Sequence, residues 1–354
     1  MSDRACDRRW RLLHGDAIEL LPTLASESVD AVITDPPYAL GLRGTNWDQP
    51  SLNRVDRHAR SSGEEFAAWT AEWARQCLRL LKPGGYLFAF GAPRTAHRLA
   101  SGIEDAGLQL RDQLVWLYGS GVPKSGLREG RGSALAPAYE PIILARTPLA
   151  GRLDENERRF GTGRLGIDDA RIPAPDRLVG RWPCNVALSH QPTCTTTACA
   201  RRCAAGQLDR SRPQVRPSRF YYCAKASRRE RDAGCQDLAA RRMRIYGSKD
   251  TAARRNTHPT VKPIALMRWL IRLGCPPSGL VLDPFAGSGS TGIAAIAERR
   301  RFVGIEREPD YLRIAQARLE HATSAVDGGT ADATRIGSCP PHSHPILSKG
   351  GTEL

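Results

Sequence analysis

A short apolar run, Leu280-Val281-Leu282, leads into Asp283-Pro284-Phe285-Ala286-Gly287-Ser288-Gly289-Ser290 and then into the small-residue stretch Thr291–Ala297. Strand, glycine-rich turn and helix in that order constrain the fold more than any other feature. Small residues in such a turn let the backbone come close to a ligand, and the helix start offers free N–H groups. No Walker lysine follows the turn, because Thr291-Gly292 stands there. The carboxylate of Asp283 argues against a phosphate and fits a ligand with a cationic amino group. The next strand, Arg301–Glu306, ends on an acid about 20 residues after the turn, where it can bind ribose hydroxyls.

The first part of the chain alternates strand and helix signals. Trp10–His14 and Val29–Thr34 read as strands, with a helical run from Ile18 to Leu24 between them. Phe66, Trp69, Trp73, Cys77 and Leu80 recur at intervals of three and four and predict one face of a helix, stopped at Lys82-Pro83-Gly84-Gly85. Tyr86–Phe90 is a strand, Thr95–Ala106 a helix, and Gln113–Tyr118 and Pro141–Ala145 further strands. This order argues for a parallel sheet with helices on both faces. The periodicity is lost from about 150 to 254 and returns after His258-Pro259-Thr260-Val261-Lys262-Pro263. There Leu266, Leu270 and Leu273 mark a helix, and Pro309–Ala322 a last one.

Val29–Thr34 runs into a second turn, Asp35-Pro36-Pro37-Tyr38. Two prolines remove two N–H donors, leaving carbonyls free to accept. The Asp35 carboxylate is a further acceptor and the Tyr38 ring a stacking surface. Acceptors beside an aromatic plate suit the planar amino group of a nucleobase; alone, the same residues also suit an ordinary strand-to-loop turn.

Charge points to a polyanionic partner. The net charge is +15, and residues 201–255 hold 16 Lys/Arg against 5 Asp/Glu. An arginine-rich solvated surface is the other reading of the total, but the excess is local. Hydrophobic residues at 41% and charged residues at 25% describe an ordinary soluble chain. No apolar run reaches the roughly 18 residues of a membrane span. The charged N-terminal segment, Met1–Arg11, lacks a signal core, so a cytoplasmic protein without a membrane partner is expected.

With both turns in view, the chain resembles the amino-methyltransferases of DNA modification, which act at adenine N6 or cytosine N4. Asp35, Pro36, Pro37 and Tyr38 resemble that family's catalytic motif, and Asp283–Gly289 its AdoMet motif. The catalytic motif comes first, which resembles the permuted β-type order. Trp116–Ser125 and Ser218–Asp232 are similar to segments of phage and prophage members. The resemblance implies a Rossmann-like AdoMet-dependent methyltransferase fold: α/β, with a mostly parallel, doubly wound, circularly permuted sheet. Strand one would lead into the AdoMet turn, strand two would be Arg301–Glu306, strand three Trp10–His14 and strand four Val29–Thr34. Cofactor contacts would come from Asp16, Thr260, Lys262, Asp283, Phe285, Gly287, Ser288, Gly289 and Glu306. Beginning the catalytic motif with Asp rather than Ser favours adenine.

The expected organisation is a catalytic half at 1–150, an inserted target-recognition module at 151–254, an AdoMet half at 255–322 and a disordered tail at 323–354. Double-stranded DNA is the expected partner, with Lys124, Arg228, Arg229 and Arg231 as candidate contacts; a homodimer and a cognate restriction enzyme remain open. His190, Cys194, Cys199 and Cys203 form H-x3-C-x4-C-x3-C, a pattern that suits structural zinc or simply free thiols. Other readings are cytosine-N4 methylation, amino-methylation of RNA or of a protein glutamine, and a non-catalytic DNA-binding relative.

Overall fold

The computed structural model describes residues 9–40, 63–118, 129–132, 135–174, 177–189, 221–223, 225–242 and 253–328. The elements in chain order are β1 (Trp10–His14), α1 (Ala17–Leu20), β2 (Val29–Thr34), α2 (Gly63–Leu80), β3 (Leu81–Phe90), α3 (Ala96–Asp105), β4 (Gln109–Leu117), β5 (Tyr139–Arg146) and α4 (Leu153–Phe160). There follow β6 (Ile172–Ala174), β7 (Arg177–Arg181), β8 (Val186–Leu188), β9 (Tyr221–Tyr222), α5 (Arg228–Asp232), β10 (Arg241–Arg242) and β11 (Ala253–Arg254). The chain continues with α6 (Ile264–Gly274), β12 (Leu280–Asp283), α7 (Ser290–Ala297), β13 (Arg301–Glu306) and α8 (Pro309–Asp327).

Nine of the described strands build one sheet in the order β1-β13-β12-β2-β3-β5-β4-β8-β9, and β6–β7 and β10–β11 form two separate two-stranded sheets. From β1 to β3 neighbouring strands run parallel, and β5 lies antiparallel to both β3 and β4. The strand leading into the glycine-rich turn, β12, thus lies between β13 and β2, strands from opposite ends of the chain. That is the permuted arrangement: the last βαβ unit in sequence lies between β1 and β2, the first two strands in sequence.

Side-chain alternation sorts the two layers. Val32, Leu87 and Leu282 face the cluster formed by Phe66, Trp69 and Trp73 of α2 and by Leu99 and Ile103 of α3. Their neighbours Ile33, Phe88 and Val281 face Leu266 and Leu270 of α6, Ile293 of α7 and Leu319 of α8. A strand buried on both faces reads as a continuous apolar run, which is why β2 is buried at every position.

Four local differences from the sequence reading have identifiable causes. The Ile18–Leu24 helix divides into α1 and a 3₁₀ turn at Leu21–Thr23, with Pro22 near its start where no donor is lost. β3 begins directly at Leu81 and passes through Gly84 at φ +78°, where a Cβ would lie 2.6 Å from Asn156 Nδ2. The expected tail start at 323 falls inside α8, which continues to Asp327 because Ala322 and Val326 still pack on the core. Residues 151–189 join the main body: β8 pairs with β4, and α4 packs on β3. Among the described residues, no helix is long and apolar enough to cross a membrane.

α4 (LDENERRF) has a single buried residue, the polar Asn156. The side chain of Asn156 donates to Pro83 O at 2.9 Å and Thr162 O at 2.8 Å and accepts from Ala150 N at 2.9 Å. Asn156→Ala would remove the side-chain donor of the buried Thr162 O and one of two donors to Pro83 O, which keeps the Thr162 hydroxyl at 2.6 Å, and is expected to cost about 2 kcal/mol, read as a lower urea midpoint at unchanged m-value.

Candidate active site

Parallel α/β sheets bind ligands beyond the carboxyl ends of their strands. Here β1, β13, β12 and β2 end at one cleft holding roughly 1000 Å³ of empty space, mouth included. It is lined by Asp16 after β1, Asp35–Tyr38 after β2, Thr260 and Lys262 before α6, Asp283 to Ser288 after β12, and Glu306 at the end of β13. Of the residues expected to hold a cofactor, the cleft gathers all but Gly289, which caps α7 at φ +76°.

The glycine turn is held from several directions. Asp283 is buried, and its carboxylate accepts from the Thr34 hydroxyl at 2.7 Å, the Thr291 hydroxyl at 2.6 Å and Phe285 N at 3.1 Å. Burial raises its pKa to about 6 despite those donors. The acid first read as a partner for a cationic group is therefore also the tie between two strands. Glu306 accepts from Gly287 N and Glu308 N, each at 2.7 Å, and burial lifts its pKa to about 7. Gly287 has φ +54°, and a Cβ there would lie 2.7 Å from His258 Nε2. Burial, with Lys262, Arg231 and Arg318 nearby, lowers the pKa of His258 to about 3, so its imidazole is neutral at physiological pH. Asp16 caps α1 through Ile18 N at 2.9 Å.

The second turn carries a cluster of charged and hydroxyl groups. The Tyr38 hydroxyl donates to Asp35 Oδ1 at 2.6 Å, and the ammonium of Lys262 pairs with Asp35 Oδ2. Burial raises the pKa of Asp35, opposed by Lys262 and reinforced by Glu140. Burial and the two carboxylates push Tyr38 well above its usual range. Lys262, expected among the cofactor contacts, thus lies against the Asp35–Tyr38 turn. Glu140 on β5 was missed in sequence. Its acidity within an apolar strand, YEPIILAR, was the available signal.

The arginines expected at DNA divide. Arg228 donates to Ala253 O at 2.9 Å, and Arg231 turns inward to donate to His258 O at 2.7 Å, while Arg229 is exposed. Arg231 thus braces the segment before α6. Lys124 and the candidate zinc ligands His190, Cys194, Cys199 and Cys203 lie outside the described residues. Among the described residues, no three His, Cys, Asp or Glu side chains converge as a metal site.

α5 was not foreseen as a brace for the cofactor turn. Arg318 of α8 is buried and donates to Ser288 O at 2.6 Å, Ser288 Oγ at 3.1 Å and Ser290 Oγ at 3.3 Å, and to Glu230 O of α5 at 3.3 Å. Glu230 in turn accepts from Ile264 N at 2.7 Å. Burial lowers the Arg318 pKa to about 10, which still leaves it charged at neutral pH.

A permuted, doubly wound sheet with a glycine turn and a proline-rich acidic turn side by side defines a Rossmann-like methyltransferase fold. The chain belongs to the N6/N4 DNA methylase family, whose model, described as DNA methylase, matches residues 29–317. It is 24% identical over 348 residues to type II methyltransferase M.HpaI of Haemophilus parainfluenzae, covering 96% of this chain and 82% of that protein. It is 24% identical over 314 residues to type II methyltransferase M2.DpnII of Streptococcus pneumoniae, covering 87% and 89%. The solved PvuII DNA methyltransferase (cytosine-N4-specific) superposes at a TM-score of 0.55 with 16% identity, covering 91% of this chain and 94% of that one, a likeness of fold.

Arg318→Ala removes four hydrogen bonds from one buried guanidinium. The expected loss is about 3 kcal/mol of stability, with faster amide exchange in residues 225–235 and 286–290 than in the sheet.

Proposed function

We propose that the chain transfers a methyl group from AdoMet to the exocyclic amino group of a flipped base in double-stranded DNA, with adenine N6 as the target. The observation that carries this reading is the meeting of the Asp35–Tyr38 and Asp283–Gly289 turns at one cleft, joined by the Thr34–Asp283 hydrogen bond.

The lining of the cleft fits AdoMet. The Gly287 backbone is left bare where a Cβ would meet His258, and Asp16 and Glu306 offer acceptors at the ends of neighbouring strands. When bound, AdoMet supplies a methyl group already activated by its sulfonium. Asp16 and Glu306 then accept from adenine and ribose donors, and Asp283, already tied to Thr34 and Thr291, keeps the turn in shape.

A base amino group inside a duplex is out of reach, so the base must swing into the cleft. Tyr38 offers the stacking face. The Asp35 carboxylate and the Pro36 carbonyl accept the two amino N–H groups. These acceptors favour a more tetrahedral nitrogen with a freer lone pair and stabilise the positive charge that grows on it during attack, from groups already in place. No covalent enzyme intermediate is needed.

Adenine is preferred to cytosine because the catalytic motif begins with Asp35, by family resemblance. The names of both curated relatives, type II methyltransferases, support sequence-specific DNA modification, and the 151–254 segment, with its local excess of Lys/Arg from 201 on, is the candidate target reader. A second copy of the chain and a cognate restriction enzyme are proposed partners.

Asp35→Ala is expected to abolish tritiated methyl transfer to DNA while AdoMet affinity stays within a few-fold of wild type. Digestion of wild-type product to nucleosides should yield N6-methyladenine; N4-methylcytosine in its place would reassign the target base. Arg229→Ala should weaken DNA binding about equally for all sequences and reduce the salt slope by about 1. An unchanged slope would remove Arg229 from the DNA surface.

A further inference from the structure

Lys262 stands between two carboxylates. Its ammonium pairs with Asp35 and lies 3.3 Å from Glu140 Oε2 and 3.3 Å from the Tyr38 hydroxyl. Tyr38 closes the ring, donating to Asp35 at 2.6 Å with Glu140 Oε2 at 3.4 Å. The other Glu140 oxygen accepts from the Tyr118 hydroxyl at 3.2 Å. Asp35 follows β2, Glu140 belongs to β5 and Lys262 precedes α6, so the sheet order assembles the group rather than any local motif. The Lys262 side chain is 7% exposed. A charge at that depth persists only while it is paired.

The amino-transfer reading requires an Asp35 oxygen to accept from the target amino group. In this structure both oxygens are engaged, one by Lys262 and one by Tyr38. An incoming N–H donor must share or displace one of them. Glu140 offers the lysine a second anion within reach, so Lys262 can release Asp35 without becoming an unpaired buried charge.

We infer that Lys262 is a positioning residue that exchanges between two carboxylates: it pairs with Asp35 in the empty cleft and retires to Glu140 when the target amino group takes its place. The inference rests on the amino-methylation reading and adds Glu140 to the machinery. It also gives Lys262 a role distinct from cofactor contact. Opposite charges keep Asp35 ionised before the base arrives, and the second anchor keeps the lysine from competing afterwards.

The test follows from the groups around Asp35. Lys262, Glu140 and Tyr38 face it directly, and Asp283 lies behind it on β12. Tyr118 and Lys225 lie beyond Glu140, with the Lys225 ammonium 3.6 Å from the centre of the Tyr118 ring, and neutral His258 lies beyond Lys262. Lys262 lowers the pKa of Asp35, and Glu140 raises it. Transfer needs the carboxylate, so activity is lost as pH falls through that pKa. Lys262→Met should therefore move the acid limb of kcat/KM up by about one pH unit or more, and Glu140→Gln should move it down. The double variant should return towards wild type. In Glu140→Gln the plateau of kcat/KM should also fall about tenfold, because Lys262 has lost its second anchor. AdoMet affinity should stay within about twofold in both single variants.

Carboxyl 13C NMR of the ligand-free protein, with the Asp35 signal assigned by its loss in Asp35→Asn, reads the same two opposite shifts without turnover. Glu140→Gln is nearly isosteric and decides the matter even if Lys262→Met does not fold. A Glu140→Gln variant with wild-type acid limb and wild-type Asp35 titration overturns the inference. So does a Lys262→Met variant that loses AdoMet binding more than about tenfold while Asp35 titrates as before. Opposite NMR shifts in a protein that methylates no DNA would uphold the coupling among the three groups and overturn the amino-methylation reading instead.

Discussion

The Thr34 hydroxyl and the Asp283 carboxylate meet at 2.7 Å across 249 residues of chain. Thr34 is the last residue of β2 and Asp283 the last of β12, so this contact joins the two strand ends from which the two turns leave. Asp283 also accepts from Thr291 and Phe285 N. Without those three donors a carboxylate this deeply buried would carry a large desolvation cost. With them it becomes the fixed point from which the glycine turn and the Asp35–Tyr38 turn are both hung. The parallel pairing of β12 with β2 brings the strands together, and the carboxylate sets how their ends meet.

Two groups of buried charge flank the cleft. Asp35, Glu140 and Lys262 form one linked group on the catalytic side. Arg318, Glu230 and Arg231 form another behind the cofactor turn. In the first the charges pair with one another; in the second they bond backbone and hydroxyl groups, with Arg318 and Arg231 close enough to Glu230 to act on its charge. The second group has a structural consequence. α5 belongs to the segment whose composition suggests DNA contact, yet its Glu230 carbonyl receives Arg318, which holds the Asp283–Gly289 turn, and its own residues bond the stretch before α6.

Much of the sheet was readable from the chain. β1, β2, β12 and β13 fall where the apolar runs predicted them, because a buried parallel strand has a distinctive short hydrophobic signature. α2 was marked by five apolar residues at helical spacing, all of them buried. α4 was not visible, since its single buried residue is Asn156 and a polar latch leaves no periodic trace. Glu140 was hidden for a similar reason: in sequence it is one acid in an apolar strand, and only the antiparallel return of β5 beside β3 brings it near Asp35. The inward turn of Arg231 was equally invisible, because an arginine looks the same whether it meets a phosphate or its own backbone.

By itself the sequence determined the fold class, the permuted order of the two turns, and the residue types at the strand ends where ligands bind. The parallel α/β pattern and the residue types follow from local rules (hydrophobic period, the backbone freedom of glycine, and the loss of donors at proline), while the permuted order is what the resemblance of the two turns to the family implies. Tertiary structure alone decided that Asp283 is a tie between strands and that Lys262 faces Asp35. It also decided that Glu140 joins Asp35 and Lys262 and that Arg318 ties α5 to the Asp283–Gly289 turn. Each depends on side chains far apart in the chain being brought within hydrogen-bond reach and shielded from water. Their charges and partners are set by that burial, which no local pattern in the chain encodes.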